Sequence, residues 1–301
     1  MACSARHDPV MVSEVMDALG IVSGMVVVDL TVGLGGHARE MFNHLGKNGV
    51  LIGLDQDHEA IKIAKSKFTD EENKQIQWVH ENFRDTECVQ NIVKNKRIDA
   101  CLMDLGVSSF QLDVPRRGFS FQGTGVLDMR MNSENCVTAK YILDGFSEHD
   151  LADVFYLYGQ ERKSRAIARS IAGKRRAKKD ITAQDLAQSA SYAYRKMTRR
   201  RIHPATKIFQ ALRILVNDEL NALADALPLW CSSLKPGGRM CVISYHSLED
   251  GLVKNVFRTL TKEKRLRLVC KKPLVPSEEE VFKNPRSRSA KLRIVESCTY
   301  D

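Results

Sequence analysis

The stretch that most constrains the fold is residues 26–55, in which a glycine-rich turn stands between two apolar runs. Residues 26–30 and 50–54 are rich in β-branched and aliphatic side chains, which is typical of buried strands. A helical pattern begins after the glycines of residues 31–36. The spacing predicts a strand–turn–helix–strand unit that binds a nucleotide, with Asp55 about 20 residues past the turn.

The residue types in this unit suit a phosphate- or ribose-containing ligand. Gly33 and Gly35 have no Cβ, so the backbone can turn tightly and approach a ligand closely. The helix that follows points its first N–H groups at the ligand. Asp55 can accept hydrogen bonds from two ribose hydroxyls. The spacing Gly33-x-Gly35-x-x-Ala38 fits NAD and S-adenosylmethionine alike, and a purely structural turn is the plainer alternative.

The remaining chain predicts an α/β fold with a helical insertion. Apolar runs at 76–79, 98–103 and 240–244 alternate with helical patterns, which favours a mostly parallel sheet with helices on both faces. The interval between the last two runs is too long for one crossover, and residues 147–190 have helical periodicity. We expect one helix over residues 209–227 to return to the sheet, and two further strands at 265–269 and 292–295.

These patterns predict two domains. The sheet domain is expected to comprise residues 1–112 and 207–301, and the basic helical insertion residues 113–206. Thr182 with Asp185 resembles a capping box at the start of a helix in the insertion.

The net charge of +9 is concentrated in one segment. Residues 160–207 contain 15 Lys or Arg and three acidic residues, so this segment has a charge of +12 and the rest of the chain −3. Such a cluster favours binding to a polyanion, nucleic acid first, although a solvated helical face is the alternative. The eight scattered cysteines lack zinc-site spacing, so no metal site is expected and a reduced intracellular protein is predicted. We expect no membrane association, because no apolar run is long enough to span a bilayer.

Several polar side chains follow the predicted strands, where ligands of open α/β sheets bind. Phe83 is a candidate for packing on an adenine face, with Asn82 near its edge. Asp104 stands where a carboxylate can meet both a cofactor and a substrate. His37 at the helix start is either a ligand contact or a cap.

Two other chemistries are disfavoured. Ser108 and Ser109 are not flanked by the Gly-x-Ser-x-Gly elbow of many hydrolases. His246, Glu249 and Asp250 lack further ligands at metal-site spacing.

Ten motifs, in order and over nearly the whole chain, resemble those of the small-subunit rRNA (cytosine-N4)-methyltransferases. They are HDPV at 7–10, GLGGH at 33–37, DLGVSS at 104–109, RGFSF at 117–121, LDMRM at 127–131, HPAT at 203–206, FQALR at 209–213, VNDEL at 216–220, SLED at 247–250 and RSAKLR at 288–293.

The resemblance implies a class I (Rossmann-like) methyltransferase sheet with an inserted, mainly helical domain. It also implies S-adenosylmethionine as cofactor and N4-methylation of one cytidine in the decoding region of small-subunit rRNA. Together with Gly33 from the turn, the implied cofactor contacts are Gly35, Gly36, His37, Asp55, Phe83, Asp104 and Gln111.

A hydrogen-bond acceptor for the amino N–H would help the methylation of an exocyclic amine, because it helps the nitrogen to pyramidalise and favours the later loss of the proton. Asp104 is the first candidate, and Gln111, Ser108 or His246 are its possible partners or replacements. Other amino-methyltransferases have two prolines after this position, and this chain has Leu105-Gly106.

The substrate is expected to be small-subunit rRNA or the pre-ribosomal small subunit. Phe119 and Phe121 are candidates for stacking on the target base, although two phenylalanines at i and i+2 are more often half of a core strand. Six arginines are expected to contact RNA: Arg116, Arg117, Arg130, Arg199, Arg200 and Arg201.

Three traits indicate the animal mitochondrial branch of this family. Tyr245 stands where bacterial members tend to have phenylalanine, residues 197–201 form a short, very basic linker, and cysteine is plentiful. These traits predict mitochondrial 12S rRNA as substrate and a location in the mitochondrial matrix; a bacterial member would be cytoplasmic.

Two other functions share part of this sequence pattern. An NAD(P)-dependent oxidoreductase would have the same glycine turn and Asp55, and would show a nicotinamide-dependent thermal shift. A non-catalytic RNA-binding ribosome-assembly factor would bind RNA without methylating it.

Overall fold

The computed structural model describes residues 9–94, 97–121, 126–177, 180–194 and 203–298. The chain divides into two compact units. Unit 1 comprises residues 1–106 and 220–301, and unit 2 comprises residues 107–219. Within the described ranges, no helix is both long enough and apolar enough to cross a membrane.

Unit 1 contains a seven-stranded sheet with the order β3-β2-β1-β4-β5-β7-β6. Strands β1 to β5 pair in parallel, and β7 is antiparallel to both β5 and β6. This arrangement confirms the predicted mostly parallel α/β sheet. The strands are β1 (Val26–Asp29), β2 (Val50–Asp55), β3 (Ile76–His80), β4 (Ile98–Asp104), β5 (Leu234–Ser244), β6 (Leu266–Leu268) and β7 (Lys291–Ser297).

The α-helices of the described residues belong to both units. In chain order they are α1 (Val12–Leu19), α2 (Gly36–Leu45), α3 (His58–Lys65), α4 (Asp70–Asn73), α5 (Thr86–Val93), α6 (Ser109–Asp113), α7 (Ala139–Gly145), α8 (Glu148–Leu157), α9 (Ser164–Ala177), α10 (Ala183–Tyr192), α11 (Ala205–Asn217), α12 (Glu219–Ser232), α13 (Ser247–Lys262) and α14 (Glu278–Lys283).

Helices cover both faces of the sheet in unit 1. Because successive strand residues point to opposite faces, Val28 packs in one core cluster with Trp230 of α12, and Val27 packs in the other with Met41 of α2. All four side chains are fully buried. A strand buried on both faces reads as a continuous apolar run, which is why β1 and β2 were recognisable from sequence.

Unit 2 is helical and has its own core, which includes Phe155, Ile167, Leu186 and Leu212. The predicted capping box at the start of α10 is confirmed, since the side chains and backbone amides of Thr182 and Asp185 bond reciprocally.

The boundaries of unit 2 differ from those predicted for the insertion, which were residues 113 and 206. Val107 and Leu112 pack against the core of unit 2, and so do Ile208 and Phe209 of α11. Unit 2 therefore begins earlier and ends later than the hydrophobic pattern indicated.

The single helix expected over residues 209–227 is wrong, because α11 and α12 are separate helices. Asp218 ends α11 in a left-handed conformation with φ of 50°. The preceding Asn217 uses its side chain in unit 2, where its Oδ1 accepts from the Met131 N–H at 2.7 Å and its Nδ2 donates to the Met129 carbonyl at 2.8 Å. These long-range bonds fix the helix end, and a local pattern does not reveal them.

Candidate active site

The glycine turn between β1 and α2 favours residues without a side chain. Gly33 and Gly35 have positive φ values of 51° and 79°, which side chains rarely adopt. A Cβ on Gly35 would lie 3.1 Å from the Ala64 Cβ, and one on Gly36 would lie 3.0 Å from Pro9. Glycine is therefore favoured by conformation at Gly33 and Gly35, and close packing adds to this preference at Gly35 and Gly36.

Asp55 closes this turn from the end of the neighbouring strand β2. One carboxylate oxygen accepts the Gly33 N–H at 2.8 Å, and the other accepts the Asp57 N–H at 2.9 Å. Burial raises the pKa of Asp55 to about 6, against the lowering effect of these two amides. Each oxygen can accept a further hydrogen bond, so Asp55 can hold the turn and ribose hydroxyls at the same time.

Asp29, at the end of β1, is a candidate site residue that the sequence pattern did not indicate. Its side chain is fully buried, and among the described residues its Oδ2 has no hydrogen-bond partner. Its Oδ1 accepts the Thr31 N–H at 3.2 Å. Burial raises the pKa of Asp29 to about 7, and nearby His37 partly opposes this rise. A buried oxygen without a partner is costly, and a ligand N–H or ammonium group would satisfy it.

His37 and Asp104 lie together at the same edge of the sheet. His37 is in the first turn of α2 and is 6% exposed, and its Nε2 is 3.5 Å from Asp104 Oδ2. Within the described part of the chain, neither ring nitrogen meets the criteria for a hydrogen bond. Burial lowers the pKa of His37, but the carboxylate of Asp104 outweighs this effect and the net pKa is raised. The site thus contains buried polar atoms that have no partner among the described residues, together with the carboxylates of Asp29, Asp55 and Asp104. Carboxylates accept hydrogen bonds and attract positive charge, so these groups fit a cationic, ribose-containing cofactor.

The loop after β3 lies beside the loop after β2. Asn82 donates from Nδ2 to Gln56 Oε1 at 2.9 Å. Phe83 is half-buried, and its carbonyl accepts the indole N–H of Trp230 at 2.8 Å. These bonds fix the backbone of the residues proposed to contact an adenine.

Three other candidates for catalysis serve as helix caps. Ser108 and Gln111, both in unit 2, form the capping box of α6, with the Ser108 N–H donating to Gln111 Oε1 at 3.1 Å. His246 caps α13, and its Nε2 is 3.0 Å from Oε1 of the buried Glu249. Asp104 is not used in this way and stays the first candidate for the acceptor.

Two of the arginines expected to contact phosphate are used inside unit 2. Arg117 is 7% exposed and donates to the carbonyls of Arg130 and Met131 at 3.0 and 2.9 Å. Arg130 donates from Nε and Nη2 to the two oxygens of Asp128, both at 2.8 Å. Because a buried guanidinium cannot reach a phosphate, Arg117 is corrected to a structural residue.

The other RNA candidates have different surroundings. Arg116 is exposed, whereas Arg199, Arg200 and Arg201 lie outside the described residues. Phe119 belongs to the core of unit 2 and does not present a stacking face. Phe121 stacks on the exposed His203, with ring centroids 4.9 Å apart.

The fold and this site define a class I methyltransferase that uses S-adenosylmethionine. The sheet order with an antiparallel β7, the glycine turn and the strand-end carboxylates are its features. The model of the MraW methylase family matches residues 4–298, and the chain belongs to that family.

Relatives match this chain over almost their whole length. The ribosomal RNA small subunit methyltransferase H of Koribacter versatilis is 46% identical over 95% of this chain and 92% of its own. The protein of the same name from Carboxydothermus hydrogenoformans is 44% identical, with 98% of each chain covered. Among solved structures, an rRNA methylase from Streptococcus thermophilus aligns with a TM-score of 0.45 and 10% identity, covering 96% of this chain and 92% of that one.

The raised pKa of Asp29 leads to a prediction about stability. A carboxyl whose pKa is higher in the folded state (about 7) than in the unfolded state (3.8) stabilises the fold at low pH. This contribution is lost as the pH rises from about 4 to about 7. The side chain of Asp29→Asn does not titrate, so the variant does not lose this contribution. From about pH 4 to about pH 7 its unfolding free energy should therefore rise by up to about 4 kcal/mol relative to that of the wild type. Urea unfolding of the ligand-free protein at several pH values measures the difference, and a pH-independent difference would contradict the prediction.

Proposed function

We propose that this methyltransferase transfers a methyl group from S-adenosylmethionine to N4 of a cytidine in the decoding region of small-subunit rRNA. The substrate class is supported by the relatives, which are named as ribosomal RNA small subunit methyltransferases. The observation that supports an amino group as the acceptor is Asp104, a carboxylate at the end of β4 with His37 and Tyr245 around it. Methyl transfer from labelled cofactor to rRNA, followed by nucleoside analysis, tests the proposal.

The residues of unit 1 provide complementary groups for the cofactor. Asp55 would accept the ribose hydroxyls, and the Asp29 oxygen that has no partner among the described residues would take a donor from the amino-acid end. Phe83 would pack on the adenine. When bound, S-adenosylmethionine supplies an electrophilic methyl group.

In this mechanism, Asp104 is the proton acceptor. The amino nitrogen of cytosine is a weak nucleophile because its lone pair is delocalised into the ring. A carboxylate that accepts an amino N–H holds the nitrogen in position for attack and takes up the proton afterwards. The target base has to leave its stack to be methylated.

Unit 2 supplies the RNA-binding surface in this proposal. Arg162, Lys163 and Arg165 are exposed at the start of α9. By contrast, Arg175 donates to three carbonyls of unit 2, and Lys174 pairs with Asp185 at 3.0 Å. The exposed cations are therefore the ones we assign to phosphate contacts, together with Arg199, Arg200 and Arg201 of the undescribed segment.

A triple variant in which Arg162, Lys163 and Arg165 are all replaced by alanine should bind rRNA more weakly, and its binding should depend less on salt. Each lost phosphate contact should reduce the slope of log K against log salt by about 0.7 on single strands. Cofactor affinity should stay the same. Filter binding across a salt series measures both quantities.

A matched control removes the same charge from unit 1. Lys254, Arg258 and Lys262 are exposed on α13, and their replacement with alanine should leave the slope unchanged. If both triple variants lowered the affinity and the salt slope equally, the overall positive charge of the protein would explain the RNA binding. The Arg199/Arg200/Arg201→Ala variant is a second arm of the same experiment, and wild-type binding by both unit 2 variants would require another RNA surface.

Because the chain belongs to the MraW methylase family, the alternative of an NAD(P)-dependent oxidoreductase is dropped. Nucleoside analysis distinguishes the non-catalytic assembly factor, which would leave rRNA unmethylated. The mitochondrial assignment rests on Tyr245, the basic linker and the cysteines, while the relatives cited above are bacterial. A preference for mitochondrial 12S rRNA over bacterial small-subunit rRNA as substrate would support it.

A further inference from the structure

Tyr245 connects the ends of two adjacent parallel strands in unit 1. It follows β5 directly, and β5 pairs with β4 up to Asp104, which is opposite Ile243. Its ring lies against the backbone of Gly106, where a Cβ would be 3.4 Å from the tyrosine Cδ2. Gly106 has a φ of +99°, so this close approach suits a glycine on both counts.

Tyr245 donates hydrogen bonds from both its backbone N–H and its hydroxyl. Its N–H donates to Oε2 of Glu249 at 2.8 Å, and Glu249 is 2% exposed. Its hydroxyl donates to Asp104 Oδ1 at 2.8 Å. Burial, together with the charge of Asp104, raises the pKa of Tyr245 well above its usual range, so the hydroxyl remains protonated and acts as the donor.

The carboxylate of Asp104 needs such a contact to have one orientation. The backbone N–H of Asp104 donates to Thr31 Oγ1 at 2.7 Å, which fixes the main chain and leaves the carboxylate free to rotate. The terminal torsion of aspartate is broad and roughly two-fold, so it sets no orientation by itself. His37 is 3.5 Å from Oδ2, without hydrogen-bond geometry. Among the described residues, the Tyr245 hydroxyl therefore gives this carboxylate its side-chain hydrogen bond, and the ion-pair contact of His37 on the other oxygen adds to the orientation that this bond sets.

We propose that Tyr245 is a positioning residue for methyl transfer, which acts by orienting the Asp104 carboxylate toward the acceptor amine. This inference rests on the proposed role of Asp104. Tyr245 itself has no contact with the reacting atoms in this mechanism. It supplies orientation, and orientation affects the rate of the chemical step more than the binding of the RNA.

Tyr245→Phe should lower kcat about tenfold, a change that corresponds to about 1.4 kcal/mol in the activation barrier. The KM for rRNA should stay within twofold of the wild type. The substitution removes one oxygen from a half-buried ring, and thermal unfolding checks that the fold is kept. Thr261→Val is the matched control: it removes another hydroxyl of unit 1, which donates to the Phe257 carbonyl at 2.7 Å, and should leave kcat unchanged.

A double-mutant cycle with Asp104→Ala separates positioning from a general structural effect. If Tyr245 acts through Asp104, Tyr245→Phe should have no further effect on the single-turnover rate in the Asp104→Ala background. An undiminished tenfold effect there would overturn the inference, and so would wild-type kcat in Tyr245→Phe alone. Failure of the wild-type protein to methylate rRNA would instead refute the proposed function, so the two failures are distinguishable.

Discussion

Replacing Asp104 with alanine should lower the turnover number of rRNA methylation by a factor of about 100 or more, the effect of losing a positioned proton acceptor. The variant removes the carboxylate that lies 3.5 Å from His37 and accepts the Tyr245 hydroxyl. The backbone bond to Thr31 stays intact, because it uses the Asp104 N–H. Single-turnover methyl transfer with saturating cofactor measures the loss.

Asp99 provides the control for this experiment. It lies near the opposite end of the same strand, where its carboxylate pairs with Lys235 at 2.7 Å and accepts the Val26 N–H at 2.8 Å. Asp99→Ala should lower stability and leave the turnover number of the folded enzyme near that of the wild type. Near-normal methylation by a folded Asp104→Ala protein would show that the acceptor is another residue, with His246 and Gln111 the next to test.

Replacing Asp55 with alanine should weaken S-adenosylmethionine binding by roughly 1–3 kcal/mol, the range for leaving hydrogen-bonding groups without a partner. The carboxylate has two functions that are lost together. It accepts the Gly33 N–H, which shapes the glycine turn, and it is proposed to accept the ribose hydroxyls. Isothermal titration calorimetry with the cofactor measures the change in Kd.

Asp57 is a matched control two residues away. It is buried and caps α3, accepting the Glu59 N–H at 3.1 Å. Asp57→Ala should destabilise the fold by about 1 kcal/mol, as expected for loss of an N-cap, and should bind the cofactor normally. Unchanged cofactor affinity in Asp55→Ala would remove the ribose role, and equal losses in both variants would indicate an indirect effect on the turn.

Much of the sheet was predictable, because strands buried on both faces give continuous apolar runs with clear ends. The runs at 26–30 and 98–103 became β1 and β4 with shifts of one residue at their carboxyl ends. The division between α11 and α12 was not predictable from the same pattern. Both helices have apolar faces, and the break depends on hydrogen bonds of Asn217 with residues more than 80 positions away.

The position of Asp55 beside the glycine turn was predictable, because an acid at the end of the next strand comes back to the turn in such a unit. Its contact with ribose hydroxyls stays a prediction. Asp29 was overlooked because it lies inside the apolar run at 26–30, although a carboxylate within such a run, two residues before the turn, was a usable signal. Arg117 was misread because a sequence does not show whether an arginine is buried, and here backbone carbonyls of a neighbouring loop accept its donors.

The most direct test of the central claim is methyl transfer from S-adenosylmethionine labelled in its methyl group to small-subunit rRNA, with digestion to nucleosides and mass spectrometry. Our account predicts label in N4-methylcytidine at a single decoding-region position, and none when Asp104→Ala is assayed under the same conditions at an early time point. Label in a different nucleoside would contradict the proposed chemistry at Asp104. Absence of transfer to rRNA and to the small subunit alike would contradict the proposed function.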